Sequence, residues 1–254
     1  MAIWILIRLG GAAHAELVFV AAGSTLANRP PDNDPAIIHV DTGGGRFDHH
    51  QTADGALSAA ELVRREFAPN DLILMRMVNY VTRLDNASYH GRDMPFFNIN
   101  DLIDGYNALY PNRPHHVAQA MMPNFDAWYE HEQRQVRLEQ AFARRLEFNT
   151  RWGLGIAMQS DDGASSRLAY NYGAILFAYR DRNGYMGIAA QRRSPVDLQP
   201  VYVDVKRIDP HADWYLHPGH RLLLCGTPKA PTRNRSRLSL PELVDIIRLD
   251  KKKR

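Results

Sequence analysis

The feature that most constrains the fold is a change of texture near residue 150. Before it, apolar residues recur at helical spacing. After it come short β-rich apolar runs divided by turns. Over 56–67 the apolar residues Leu57, Ala60, Leu62, Val63 and Phe67 fall on one face and predict an amphipathic helix. Residues 72–84 repeat the pattern, 100–109 predict a short helix, and 125–148, free of Gly and Pro, predict a long connecting helix ending near Asn149 or Thr150. Further on, 154–159, 174–180, 185–191 and 201–206 predict strands, with Asp181-Arg182-Asn183-Gly184 as a hairpin turn. Ser239-Leu240-Pro241-Glu242 opens a last helix with a capping residue and an early proline. Near the start, 3–8 and 36–40 predict buried strands, with a helix over 14–22 between them. The expected organisation is an α/β domain over 1–150, connecting helix included, and a smaller mixed α/β domain over 151–254.

Composition narrows the class. With 45% hydrophobic and 23% charged residues the chain resembles an ordinary globular protein, not a disordered or fibrous one. No apolar run approaches the roughly 18 residues a membrane-spanning helix needs. The first residues lack the basic leader of a signal peptide, so the cytoplasm is the expected compartment. The single cysteine, Cys225, excludes an internal disulfide and a cysteine-based metal site. Nine Lys/Arg against three acids put +6 on residues 229–254, so the first 228 residues carry −3 of the overall +3. A basic end favours an anionic partner, although residues 251–254 also read as a solvated tail.

Chemistry concentrates in Asp41-Thr42-Gly43-Gly44-Gly45-Arg46-Phe47-Asp48-His49-His50-Gln51. An expected strand ends in an acid, a glycine loop follows, and then an acid stands beside two histidines. Carboxylates and imidazoles together suit Mn²⁺, Zn²⁺ or Fe²⁺ better than Ca²⁺. The glycines allow backbone to approach an anion closely. Consecutive histidines point in different directions, so one can hold a metal while the other faces substrate. The alternative is a polar turn with two surface histidines.

The segment resembles the DHH phosphoesterase superfamily, and within it the melanocyte-proliferating-gene-like branch of metal-dependent hydrolases and 3′→5′ exonucleases. The resemblance rests on Val40-Asp41-Thr42-Gly43-Gly44, on Phe47-Asp48-His49-His50-Gln51 and on Leu84-Asp85-Asn86, and is clearest over residues 8–86. It implies an N-terminal parallel-sheet domain joined by a helix to the smaller domain. It implies that Asp41, His49, His50 and Asp85 are catalytic: Asp41 bridges metals, His49 and Asp85 ligate, and His50 contacts the scissile phosphate. Asp48 would orient a histidine. The family's first motif departs here. In Arg8-Leu9-Gly10-Gly11-Ala12-Ala13-His14-Ala15-Glu16-Leu17, His14 matches the second histidine and Glu16 stands at the first acid, while Leu9 and Leu17 replace an expected histidine and acid. One metal held by Glu16, Asp41, His49 and Asp85 is then implied, Mn most naturally, with Mg, Fe or Zn as alternatives.

In the C-terminal third, the resemblance implies that His217, His220 and Arg221 touch substrate phosphates. The residues alone also allow a second metal site among His211, His217 and His220 beside Asp213, or a plain loop. Arg233, Arg235 and Arg237 alternate, so on an extended segment they share a face and could bind phosphates, with Arg192 and Arg193 adding charge. His115-His116 reads as a loop or helix start, Cys225 as a buried strand residue, and Trp128, Trp152 and Trp214 as packing residues. The expected function is a metal-dependent phosphodiesterase, a 3′→5′ exonuclease on single-stranded RNA or short oligonucleotides. The alternative is a catalytically degenerate protein of the same fold that binds nucleotide or nucleic acid.

Overall fold

The computed structural model describes residues 1–86 and 97–249, so the basic residues 251–254 lie outside the described residues. The described residues form a mixed α/β protein with eight α-helices and one six-stranded mixed sheet. Two compact units divide it, Met1–Gln135 and Val136–Arg254.

The first unit contains no strand among its described residues. It is built from α1 (Ala2–Arg8), α2 (Ala59–Phe67), α3 (Leu72–Asp85), α4 (Ile99–Leu109) and the larger part of α5 (Pro114–Phe142), with irregular chain between α1 and α2. The parallel sheet expected here is therefore absent from the described residues. Residues 3–8 form α1 rather than a strand. A short, wholly apolar run cannot distinguish a buried helix from a buried strand, and Trp4, Ile5 and Leu6 are buried either way. Residues 14–22 form no helix. Val18, Phe19 and Val20 disfavour one, and the Leu17 carbonyl accepts from His115 Nε2 at 2.8 Å. Residues 36–40 lie in no ladder, although Asp41 N–H donates to Phe47 O at 3.0 Å. The helices predicted over 56–67, 72–84 and 100–109 do form, as α2, α3 and α4.

Capping explains where those helices start. Ser58 accepts from Glu61 N–H at the start of α2, and Asp71 accepts from Ile73 and Leu74 N–H at the start of α3. A capping box between Asn98 and Asp101 opens α4. The core gathers Trp4, Ile5, Phe47, Val63, Leu74 and Val78 with Met121 and Phe125 of α5.

The second unit carries β1 (Leu146–Thr150), β2 (Gly153–Gln159), β3 (Leu176–Arg180), β4 (Met186–Ala190), β5 (Tyr215–Leu216) and β6 (Leu222–Cys225) in the order β1-β2-β3-β4-β6-β5. Only the pair β2–β3, connected by α6 (Ser165–Asn171), is parallel. Alternation along the strands separates two faces. Ala157, Leu176, Ala178 and Ile188 pack with α7 (Gln199–Ile208) and α8 (Leu240–Leu249). Ile156, Met158 and Phe177 pack with Ala169 of α6 and with Leu138 and Phe142 from the end of α5. Those last turns of α5 bring the division between units to Gln135/Val136, inside the helix, rather than near residue 150.

The long helix also starts earlier and stops sooner than expected. Pro114 sits at its first turn, and the chain leaves it so that Phe148 can bury in β1. Residues 201–206 form α7, not a strand: Pro200 lies in its first turn, and Val201 and Val205, one helical turn apart, share the buried face. The hairpin at 181–184 joins β3 and β4 as expected, and Asp181 accepts from Tyr185 N–H at 2.9 Å. Among the described residues no helix is long and apolar enough to cross a membrane.

Candidate metal centre

The glycine loop is folded by its own acids. Gly43 and Gly44 both have φ near +74°, a region open to glycine at little cost. Asp41 takes a φ of 59° without that freedom, and so carries backbone strain. The Asp48 carboxylate accepts from Gly44 N–H at 2.8 Å and from His50 N–H at 3.1 Å. Buried Phe47 anchors the loop in the core. Arg46 ties it outward to Glu66 of α2 at 2.8 Å and, through its backbone N–H, to Asp32 at 2.6 Å. Asp85 ends α3, and α3 is clamped to the start of α2 through Ser58 Oγ and Thr82 Oγ1 at 2.7 Å.

These supports bring three elements to one point. His49 Nε2, on a side chain only 11% exposed, lies 3.4 Å from Asp41 Oδ1 and 3.1 Å from Asp85 Oδ2. His50 Nδ1 lies 2.7 Å from Asp48 Oδ1 and 3.7 Å from Asp41 Oδ1. Asp41, His49 and His50 place one donor atom each within 4.8 Å of one another, the one such set among the described residues. Two donors ~2.1 Å from one first-row divalent cation stand ~3.0–3.4 Å apart. The His49–Asp41 and His49–Asp85 separations match that spacing, and the mixed carboxylate–imidazole set has the right chemistry, so these residues fit a divalent cation.

The electrostatics point the same way. Burial, and then the charge of Asp85, push the Asp41 carboxyl above its usual range against the pull of His50 and His49. A cation would relieve that repulsion. Burial also raises the Asp48 carboxyl, but the hydrogen bonds from Gly44 and His50 outweigh it and hold the group below its usual range. His50 is raised, first by its bond to Asp48 and then by Asp41. Burial pushes the Met1 α-amine down to about 6 despite the opposing pull of Asp41 and Asp85.

Beside the cluster lies a cavity of about 1040 Å³, bordered by Asp41 and Asp85 and also by His14 and Glu16. His14 and Glu16 are exposed and, like Asp85, lie outside the set Asp41, His49 and His50 whose donor atoms could share one cation, but Asp85 alone of the three reaches His49. Leu9 is 44% exposed. The structure thus brings together Asp41, Asp48, His49, His50 and Asp85, and leaves Glu16 and His14 on the wall of the neighbouring cavity.

The remaining candidates lie in the second unit. His217, His220 and Arg221 form the turn between β5 and β6. His217 Nδ1 accepts from Gly219 N–H at 3.1 Å, His220 Nδ1 pairs with Asp197 at 3.0 Å, and Arg221 Nε donates to Ser194 O at 3.1 Å. Arg233, Arg235 and Arg237 are exposed, with Ser236 and Leu238 buried between and after them, as on an extended segment. Arg235 is engaged in the fold: it donates to Asn183 O at 2.6 Å and stacks over Tyr185. Asp213 holds this segment through Thr232 and Asn234. Trp214 is buried and donates to Asp209, and Cys225 is buried in β6.

Sequence reasoning overlooked the cavity and His39. This imidazole is buried in the cavity wall, accepts from Leu26 N–H at 3.2 Å and leaves Nδ1 without a partner. A lone histidine inside the apolar run Ile37-Ile38-His39-Val40 was the available signal. His115 was read only as a loop or helix start. It begins α5 and also holds the 14–22 segment through Leu17 O and the Phe19 ring. No protein-family model matches this chain, and no curated protein matches its sequence.

Proposed function

We propose that the chain is a metal-dependent phosphodiesterase whose centre is Asp41, His49, His50 and Asp85. The convergence of Asp41 and Asp85 on His49 Nε2, at 3.4 and 3.1 Å, carries the reading. A bound divalent cation supplies Lewis acidity and neutralises charge at a phosphoryl oxygen. The chain's own groups do the rest. Asp48 engages His50 Nδ1, which fixes the ring and favours its protonated form. The side chain of His50 is 64% exposed, so its outer nitrogen is available to donate to a phosphate oxygen. Asp41 and Asp85 hold His49 between them.

The test is hydrolysis of end-labelled single-stranded RNA and of a small chromogenic phosphodiester with Mn²⁺, comparing the native chain with His49→Ala. Hydrolysis that disappears in the variant supports the reading. Shortening of the RNA from its 3′ end would identify an exonuclease. A second reading draws on the exposed positions of His14 and Glu16, outside the cation-holding set: a non-catalytic module on the same fold that binds nucleotide or nucleic acid. Retained RNA binding without hydrolysis of either substrate would favour it.

A further inference from the structure

The cavity beside the metal centre has a composition that a polyanion would not select. Among its described lining residues there is no lysine and no arginine, while Glu16, Asp41 and Asp85 all border it. Its basic side chains are the imidazoles of His14 and His39. Most of the wall is aliphatic or aromatic, with Leu6, Val20, Leu26, Ile37, Val40 and Ile103 representative. At about 1040 Å³ it is at the upper end of small-molecule sites, and a pocket of this kind recognises apolar bodies. Binding of a nucleic acid strand draws mainly on Lys and Arg contacts to its phosphates. The centre at Asp41, His49 and Asp85 would provide for one phosphate, and the described cavity wall adds no lysine or arginine for another.

We propose that this cavity receives an uncharged apolar ester group of the substrate, so that the substrate is a phosphodiester with one phosphate and a bulky alkyl or aryl group rather than a polyphosphate chain. The proposal rests on the phosphodiesterase reading and names the substrate class of that same site. In the reaction, the oxygen of one water bonds to phosphorus and one P–O ester bond breaks. The leaving alcohol or phenol takes up the proton that water gives up, directly or through solvent, and the apolar group remains seated in the cavity.

The experiment has a kinetic arm and a binding arm on the full chain. In the first, Mn²⁺-loaded protein hydrolyses alkyl p-nitrophenyl phosphates from methyl to octyl, with an oligoribonucleotide as competitor. Burial of one methylene corresponds to about fourfold in affinity when complete and about twofold when half complete, so over five methylenes KM should fall at least about 30-fold from methyl to hexyl. Ala22→Trp, which fills the cavity at an exposed rim position, should abolish that gain, so that KM no longer falls with chain length. Val20→Glu should act in the same direction, with Mn²⁺ binding and circular dichroism confirming that both variants fold. In the second arm, the uncharged dye N-phenyl-1-naphthylamine should bind with a blue-shifted emission, be displaced by octyl phosphate, and bind poorly to Ala22→Trp. A KM independent of chain length, or tighter competition by the oligoribonucleotide than by octyl phosphate, overturns the proposal while hydrolysis itself keeps the phosphodiesterase reading. Absence of hydrolysis in every ester overturns that reading instead. The dye then decides the cavity alone: binding lost in Ala22→Trp supports an apolar occupant, and no binding to the native chain overturns it.

Discussion

Replacing Asp48 by alanine tests whether the acid before the two histidines builds the loop that presents them. Its carboxylate, 7% exposed, accepts from Gly44 N–H at 2.8 Å, from His50 N–H at 3.1 Å and from His50 Nδ1 at 2.7 Å. A hydrogen bond to a charged group contributes ~1.5–3 kcal/mol. Both backbone donors would be partly rehydrated once the carboxylate is gone, so the lower figure applies to each. The His50 side-chain bond lies largely in water and adds little. The expected loss is about 3 kcal/mol, and Asp48→Asn, which keeps one acceptor oxygen, should lose roughly half as much. In urea with a chelator present, with an m-value of about 2 kcal/mol/M, the alanine variant's midpoint should fall by about 1.5 M. Hydrogen exchange of peptides spanning 41–51 should accelerate first. An unchanged midpoint together with unchanged protection of that loop would refute the reasoning. Equal losses for alanine and asparagine would show that charge, rather than acceptor count, holds the turn.

Gly43→Ala forces a side chain into a φ of +74° with its Cβ against Thr25 Cγ2, and should cost about 1–3 kcal/mol in the same urea titration. Leu243→Ala, at a fully buried α8 position in the second unit's core, should cost ~2–5 kcal/mol and leave Mn²⁺ binding unchanged by calorimetry. Burial raises the Glu61 carboxyl, but bonds from Arg64 and Arg65 at 2.7–3.0 Å outweigh it, so its folded value lies below the unfolded one. The stability this supplies is present above about pH 4.3 and is lost as pH falls through the folded value. The gap between native and Glu61→Gln in thermal melts should therefore be widest near neutrality and close toward pH 3. Ser239→Ala removes the cap that accepts from Glu242 N–H at 3.3 Å and should cost about 1 kcal/mol by the same melts.

The residues whose local chemistry decides their structure were the legible ones. Ser58, Asp71 and Ser239 cap the helices that follow them, Asp181 to Gly184 make a hairpin, and strands 2, 3, 4 and 6 show in their apolar runs. The illegible elements are those settled by tertiary context. Residues 2–7 are apolar throughout and carry no period. Residues 201–206 alternate like a strand, yet the proline before them and the buried pair Val201 and Val205 favour a helix. Residues 36–40 are apolar enough for a strand but pair with nothing in the described chain. Of the site, Asp41, Asp48, His49 and His50 were readable because they lie within ten residues, while Asp85 was reached only through the resemblance carried by Leu84-Asp85-Asn86. The cavity was not, because its wall draws on α1, the 14–22 segment and α3, whose proximity no local pattern announces.

The proposed chemistry requires that Asp41, His49 and their neighbours hold a divalent cation. Titration of chelator-treated protein with Mn²⁺, read by calorimetry and by the electron spin resonance signal of free Mn²⁺, measures it without reference to any substrate. The expected result is one Mn²⁺ per chain in the native protein, weakened at least about 100-fold in His49→Ala and in Asp41→Asn, with both variants retaining native circular dichroism. Native protein that takes up no Mn²⁺ at millimolar concentration, or variants that bind it as the native chain does, would contradict the claim.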